Sequence, residues 1–449
     1  MLIRFMVSNY LSFKDETEFN MIADSFRNHN HHLYKVKTLK ILKGSAIYGA
    51  NGAGKSNLVK SIHFLQELVE IGEIPQSINS KKFKLDTANI KNPVNFEIEF
   101  YYKKKIYNYG IQLNERIVEN EWLYISGINN DDKLIFERKT TKRGKSKINF
   151  NKTLIKTQKD RILIQLMEEN LLQENELLIS KVKELNNINI TNTNEWISKK
   201  LVIIYPQSKF SGLVPFLLDS VSFKKFTNSL LSTLNTGVSE LDIKNISFDS
   251  FFGIDDEDFK NELKDELKNG EKIIIPSDNE HILAINEDNK FIIKRIAALH
   301  YDNKNVKILF DLTDESDGTR RLLDFIPAFY GILKEDVTFI IDEIDQSIHP
   351  ALLYDLIKKI MEDNTTKGQL IFTTHESNLL DFSIFRQDEI WFAEKNQESA
   401  TNLYSLSEYK PRYDLDIRKG YLKGRFGAIP FTSELKKLNW DEYEEKERI

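Results

Sequence analysis

The 449-residue chain contains no cysteine. That absence excludes disulfides, thiolate metal sites and a cysteine nucleophile, and it fits a reducing cytosol. No stretch approaches the roughly 18 consecutive apolar residues that a membrane span needs. The opening, MLIRFMVSNYLSFKDE, alternates apolar and polar residues like a strand and lacks the continuous apolar core of a signal peptide. Charge of one sign is also missing: 63 Lys and Arg stand against 68 Asp and Glu, a formal net charge of -5. The overall balance therefore does not announce a nucleic-acid binder, although a local basic patch stays open. No internal repeat or low-complexity segment stands out. What remains is a soluble, cytoplasmic globular protein with 41% hydrophobic residues, enough for a full core, and a length that allows about two or three domains.

The pattern along the chain is α/β. Leu2 to Ser8 and Thr17 to Ala23 read as short strands, and GSAIYG as a strand ending in a glycine-rich turn before a helix from about Lys55 to Ile71. Between Pro93 and Phe136 the segments VNFEIEFYY, KIYNYGIQL and IVENEWLYI alternate and are rich in aromatic and β-branched residues, which predicts an antiparallel meander. From about Thr157 the texture becomes helical, and residues 157–299 are expected to be a mostly helical insertion. A second α/β pattern follows: strand VKILFDL, a helix from Thr319, strand VTFIID, a helix from Pro350, strand QLIFTTH, and an edge hairpin of EIWFAEK and TNLYSLSEY. VTFII and LIFTT are apolar throughout, as strands buried on both faces of a parallel sheet must be. The expected divisions are 1–156, 157–299 and 300–449.

GANGAGKS, residues 49–56, fits the G-x-x-x-x-G-K-[ST] phosphate loop and lies between a strand and a helix, where that loop works. Its members Gly49, Ala50, Asn51, Gly52, Ala53 and Gly54, with Asn57 beyond it, let backbone amides converge on phosphate oxygens. Lys55 neutralises the β and γ phosphates and Ser56 ligates Mg²⁺. VTFIIDEID delivers Asp342 and Glu343 at the C-terminal end of a buried strand, where ligands of parallel sheets bind. Asp342 is then the second magnesium residue, and Glu343 the general base that polarises water. The next strand ends in FTTHES and puts His375 on the same edge, placed to donate to a γ-phosphate. In DLTDESDGTRRLLDFI, Ser316 is an N-cap for a helix whose Leu322, Leu323, Phe325, Ile326, Phe329 and Tyr330 face inward. Its hydroxyl, the Gly318 amide and the helix dipole also suit a phosphate. RNHNHHLYK, residues 27–35, holds three histidines without the regular spacing and carboxylate of a metal site, and reads as a solvated loop.

The order GANGAGKS, ESDGTRRLL, FIIDEIDQSIHP, FTTHES resembles the ATP-binding cassette superfamily, in its soluble branch with RecF, the SMC proteins and the OLD-type ATPases. MVSNYLSFKDETEFNM resembles the first strands of the AAA-15/AAA-21 ATPases, and DLDIRKGYLKGRFGAIP is similar to the tails of the defence ATPases RloA, AbiLi and the AriA subunit of PARIS. The resemblance covers about residues 1–136 and 300–430. It implies an ABC-type P-loop ATPase with a mixed central sheet, an antiparallel β subdomain and a helical insertion. It further implies that Ser316 and Gly318 are a signature motif acting on a second copy, that Asp345 is the D-loop aspartate at the dimer interface, and that His375 is the switch histidine. The signature lacks the second glycine and the glutamine of transporter cassettes, and Ile344 stands where proline is common. Gln112 and Gln207 are both poor matches to the Q-loop glutamine, Ser12 and Phe13 are candidates for adenine contacts, and GRFGAIP either meets a partner or folds on the core through turns at Gly424 and Gly427.

The function so implied is an ATP-hydrolysing, homo-oligomeric sensor and scaffold of a bacterial abortive-infection system. It would control a separate TOPRIM-type nuclease, respond to a phage-encoded trigger and use ATP and Mg²⁺. The roughly 20 residues after Pro430 are too few for a TOPRIM domain in the same chain. The alternatives are a RecF- or SMC-like DNA-repair ATPase, with nucleic acid as ligand, and the ATPase of a transporter, which the degenerate signature and absent Q-loop weaken.

Overall fold

The computed structural model describes residues 1–449 except 129–130, 142, 153–154, 156, 183–186, 254–256, 268–270, 276–280 and 430–449. The stretch judged too short for a TOPRIM domain thus lies outside the described residues. Among the described residues no helix is long and apolar enough to cross a membrane.

The N-terminal third contributes β1 (Leu2–Ser8), β2 (Thr17–Asn20), the hairpin β3–β4 (Leu33–Val36 and Leu39–Leu42) and β5 (Gly44–Tyr48), followed by the helix Lys55–Ile71. The expected meander is β6 (Val94–Tyr102), β7 (Lys105–Asn114), β8 (Ile117–Ile125), β9 (Lys133–Thr140) and β10 (Ser146–Phe150). These strands join β1 and β2 in a seven-stranded antiparallel sheet, order β10-β9-β8-β7-β6-β1-β2. Strict alternation of buried and half-exposed residues along β6 shows that only one face is fully covered. Beneath it, Phe96 and Tyr10 pack on Phe64 of the helix Lys55–Ile71.

The central sheet has six strands, drawn from three parts of the chain. After β11 (Leu201–Ile204) come β17 (Thr338–Ile341), β18 (Gln369–Thr373), β19 (Ile390–Lys395) and β20 (Thr401–Ser405), and the order is β11-β17-β18-β5-β19-β20. All neighbours are parallel except β19 and β20, the edge hairpin, so the sheet is mixed as expected. Every residue of β5, β17 and β18 is buried. The helices Asp317–Lys334 and Pro350–Met361 cover one face through Leu322, Phe325, Phe329, Leu353 and Ile357.

The 157–299 stretch is not helical throughout. It supplies β11 to the central sheet, and it builds a further antiparallel sheet from β12 (Glu240–Ser247), β13 (Lys272–Ile275), β14 (Ile282–Glu287) and β15 (Lys290–Tyr301), to which β16 (Lys307–Asp311) adds. The strand VKILFDL therefore belongs to this sheet and not to the central one. The reason is local: LVII is too short to display a period, and ILAINE and KFIIKRIAAL were masked by the polar clusters between them. The inserted helices Leu213–Asp219 and Val221–Thr233 form a separate core with Leu323 and Ile326. The helix after Ser316 is thus apolar on two faces, one toward each core.

Candidate active site

β5 ends in the phosphate loop, and two glycines are required by what lies above it. A Cβ on Gly49 would run into the carbonyl oxygen of Ala393 in β19, and one on Gly54 into the Thr401 side chain at the start of β20. Gly52 has open space around it but a φ of +76°, which a side chain would strain. Ala53 is buried, while Asn51 and Gly52 stand exposed at the rim. The Ala53 amide closes the turn on the Ala50 carbonyl at 3.1 Å. Gly54 caps the following helix with no side-chain hydrogen bond, so its first-turn amides keep their capacity for an anion.

Lys55 is 5% exposed, and its amine donates to the Gly49 carbonyl at 2.8 Å. It also lies 3.1 Å from Nε2 of His375. Burial pushes the Lys55 amine down to about 8, against the opposing pull of Asp342, Asp345 and Glu343. Burial, and then Lys55 itself, also lower His375, so the imidazole is neutral and Nε2 accepts from the ammonium. A buried ammonium whose neighbouring carboxylates Asp342, Asp345 and Glu343 offset its burial only in part is prepared for phosphate charge.

Asp342 is 3% exposed at the end of β17. Its Oδ1 accepts from Ser56 Oγ at 3.1 Å and from Thr373 Oγ1 at 2.6 Å. Thr373 was not singled out from the sequence. Its hydroxyl also accepts the Glu343 amide at 2.8 Å, so one buried side chain sets both acids. Glu343 is half-buried with φ +52°, a left-handed conformation for a side-chain-bearing residue. Asp345 accepts the His375 amide at 3.2 and 3.3 Å, which ties the loop after β17 to the loop after β18. A serine hydroxyl and a carboxylate oxygen already in contact are the hard oxygen donors that magnesium takes, and the loop amides and Lys55 match a triphosphate. The residues fit both groups.

The other candidates fall in three places. Ser316 Oγ accepts the Thr319 amide at 3.1 Å, the expected N-cap, and lies 3.0 Å from Thr319 Oγ1. Gly318 faces Ser347, two residues beyond Asp345. Ser12 joins the site's periphery, for its Oγ accepts Asn57 Nδ2 at 2.8 Å and lies 2.8 Å from Thr401 Oγ1. Phe13, by contrast, is 0% exposed in the core and has no face to offer adenine, which corrects that expectation. Gln112 pairs with Asn120 inside the antiparallel sheet. Gln207 is exposed just past β11, at the same C-terminal sheet edge as Asp342 and His375. Its signal was invisible until β11 was placed beside β17.

The described part of GRFGAIP, residues 424–429, folds on the core. Phe426 is buried against Phe392, and Tyr404 donates to the Phe426 carbonyl at 2.8 Å. The histidine loop is not solvated, as had been expected: His32 is 2% exposed and bonded to buried Glu389, while His29 and His31 are half-buried. Hydrophobic flanks, Phe26 against Arg386 and Leu33 in the core, pull it in.

Comparison with known proteins gives a family and a set of structures. The model of the family AAA_21, described as an AAA domain, putative AbiEii toxin, Type IV TA system, matches residues 45–381. No curated protein sequence matches the chain. Similar solved structures include an SMC head bound to the C-winged helix domain of ScpA, 13% identical, with a TM-score of 0.45 over 91% of this chain and 99% of that one. An SMC head domain from Thermotoga maritima is 10% identical, with a TM-score of 0.37 over 90% and 98%. One from Pyrococcus furiosus, with an extended coiled coil and bound to the C-terminal domain of ScpA, is 14% identical, with a TM-score of 0.39 over 94% and 99%.

Proposed function

Because the chain belongs to the AAA_21 family of AAA domains, we propose that it binds and hydrolyses ATP as the sensor and scaffold subunit of an abortive-infection system. The observation that carries the ATPase reading is the contact of Ser56 with Asp342, from opposite ends of the chain, beside the buried Lys55. Ser56 and Asp342 would hold magnesium, which would supply charge neutralisation at the phosphates. The loop amides and Lys55 bind the β and γ phosphates. Glu343 takes the proton of a water as its oxygen bonds to the γ-phosphorus, the bond to the β–γ bridging oxygen breaks, and ADP and phosphate leave. His375, released from Lys55, turns its ring to the γ-phosphate. Gln207, at the free end of β11, is the Q-loop candidate. Ser316 and Gly318 of a second copy close the site, with Asp345 at the interface, so ATP favours a homo-oligomer and hydrolysis releases it.

The defence reading is supported by the family description, which names a putative AbiEii toxin, and by the RloA-, AbiLi- and AriA-like tail. In it the oligomer restrains a separate TOPRIM-type nuclease until a phage-encoded trigger acts, in the cytoplasm. The test is to copurify the full chain with a TOPRIM-type protein encoded beside it, and to measure nuclease activity with ATP in the wild type and in Glu343→Gln. A stable complex whose nuclease activity follows the nucleotide state supports the proposal. DNA binding that falls with salt and stimulates ATP turnover, with no nuclease partner, would establish the RecF- or SMC-like alternative instead.

A further inference from the structure

The loop before β3 brings three imidazoles together. Among the described residues, one ligating nitrogen from each of His29, His31 and His32 lies within 4.8 Å of the others. Their remaining contacts are arranged as the outer contacts of metal-bound histidines are. His32 Nδ1 is 2.9 Å from both oxygens of Glu389, a carboxylate with no exposed surface. His29 Nε2 is 2.7 Å from the Phe382 carbonyl. These bonds take one nitrogen of each ring and leave His32 Nε2 and His29 Nδ1 for an ion, the arrangement in which a carboxylate or carbonyl stands behind a ligating histidine. His31 Nε2 is buried and has no hydrogen-bond partner, a loss that native structures rarely leave without a reason.

Backbone and charge point the same way. His29 sits at φ +51°, left-handed for a residue with a side chain, immediately before the short turn Asn30–His32. The guanidinium nearest Glu389, that of Arg386, is taken by Asp388 at 2.7 and 2.9 Å. Glu389 meets the His32 ring and the Arg386 amide, the latter at 2.8 Å. A small cavity beside His31 and His32 is lined by one charge of each sign, Lys43 and Asp363, and the Met361 carbonyl faces both rings.

We propose that His29, His31 and His32 bind a zinc ion, with Glu389 and the Phe382 carbonyl orienting two of the rings and a fourth position taken by water. Imidazole nitrogens in a chain without cysteine suit zinc better than the oxygen-seeking magnesium of the phosphate site. Zinc at about 2.0–2.1 Å from each nitrogen sets the three about 3.4 Å apart, so the nitrogens draw in by up to about 1.4 Å and the His29 ring, stacked on His32 at 22°, turns so that both in-plane lone pairs meet one ion. The site lies at the N-terminal edge of the central sheet, where β5 and β19 begin, one full strand length from the phosphate loop. It is a clamp and not part of the hydrolytic chemistry: it fastens the loop leading into β3 and β5 to the 382–389 loop leading into β19.

The test uses the tag-free full-length chain. After growth with zinc and desalting, elemental analysis is expected to find about one zinc per chain, and Co²⁺ added to chelator-stripped protein is expected to give the visible bands of a tetrahedral site. His29→Ala and His31→Ala alter half-buried side chains, so the variants stay folded by circular dichroism. Each is expected to drop zinc to less than about a tenth of the wild-type content. Zinc chloride should raise the melting temperature of the stripped wild type and leave that of His31→Ala unmoved. A wild type that takes up no zinc at micromolar free metal would overturn the proposal, as would a folded His29→Ala, His31→Ala double variant that keeps its zinc.

Discussion

Gly318 lies so close to Ser347 that a Cβ added to it would come 2.8 Å from the Ser347 carbonyl oxygen. The start of the helix Asp317–Lys334 is thereby set directly against the loop that carries Asp345, within one chain. Gly318→Ala should push that loop, which already holds a left-handed residue at Ser347 (φ +62°), and with it the Asp345 bond to His375. ATP binding should persist while single-turnover hydrolysis falls by about a hundredfold, the effect of a small misplacement of catalytic groups. An unchanged rate would show that the loop relaxes without consequence.

Ser316 separates capping from phosphate contact. Aspartate caps as well as serine does, whereas alanine costs about 1 kcal/mol. Ser316→Ala should therefore lower the melting temperature, and Ser316→Asp should not. If the turn meets the γ-phosphate of a second copy, Ser316→Asp should abolish steady-state hydrolysis through charge repulsion. Wild-type turnover in that variant would reduce the turn to a cap.

Glu343→Gln should retain nucleotide affinity and lower hydrolysis by about 10²- to 10⁴-fold, the usual contribution of a general base. Sedimentation velocity in ATP should show a larger species that persists in this variant and decays in the wild type. Hydrolysis at the wild-type rate would remove Glu343 from that role.

Thr373→Val keeps the shape and removes the hydroxyl shared by Asp342 and the Glu343 amide. Leaving the Glu343 amide without its acceptor, and Asp342 Oδ1 with Ser56 alone, should cost about 1–3 kcal/mol of stability, read as a lower urea midpoint. Because both acids lose their alignment, kcat should fall more than KM rises.

The Lys55 amine gives the pH dependence a sign. In the nucleotide-free protein burial holds it at about 8, and phosphate charge raises it on binding. ATP affinity should thus be level below about pH 8 and fall by up to about tenfold per pH unit above it. Titration calorimetry in buffers of different ionisation enthalpy should register proton uptake at about pH 9 and little at about pH 7.

Where the site was readable in the sequence, each signal was local. Lys55, Asp342 and His375 each follow an apolar run of the kind that only a buried parallel strand contains, and Ser316 has the spacing of a cap. What was hidden depended on distant partners. LVIIYPQS becomes a central strand, with Gln207 at its end, only because β17 pairs with it. Phe13 lies in a polar-looking loop yet is claimed by the core. His32 reads as solvated until Glu389, more than 350 positions later, is brought against it.

The placement of β5 has a consequence during synthesis. This strand is made early, yet its two neighbours in the sheet, β18 and β19, are made late. At about 5–20 residues per second, the interval between Tyr48 and its partner Phe392 is on the order of twenty to seventy seconds. Throughout that time the phosphate loop is attached to a strand with neither edge paired, and Asp342 and His375 do not yet stand beside it. A nascent or prematurely terminated chain therefore lacks the assembled site, which comes together only once β17, β18 and β19 have been made.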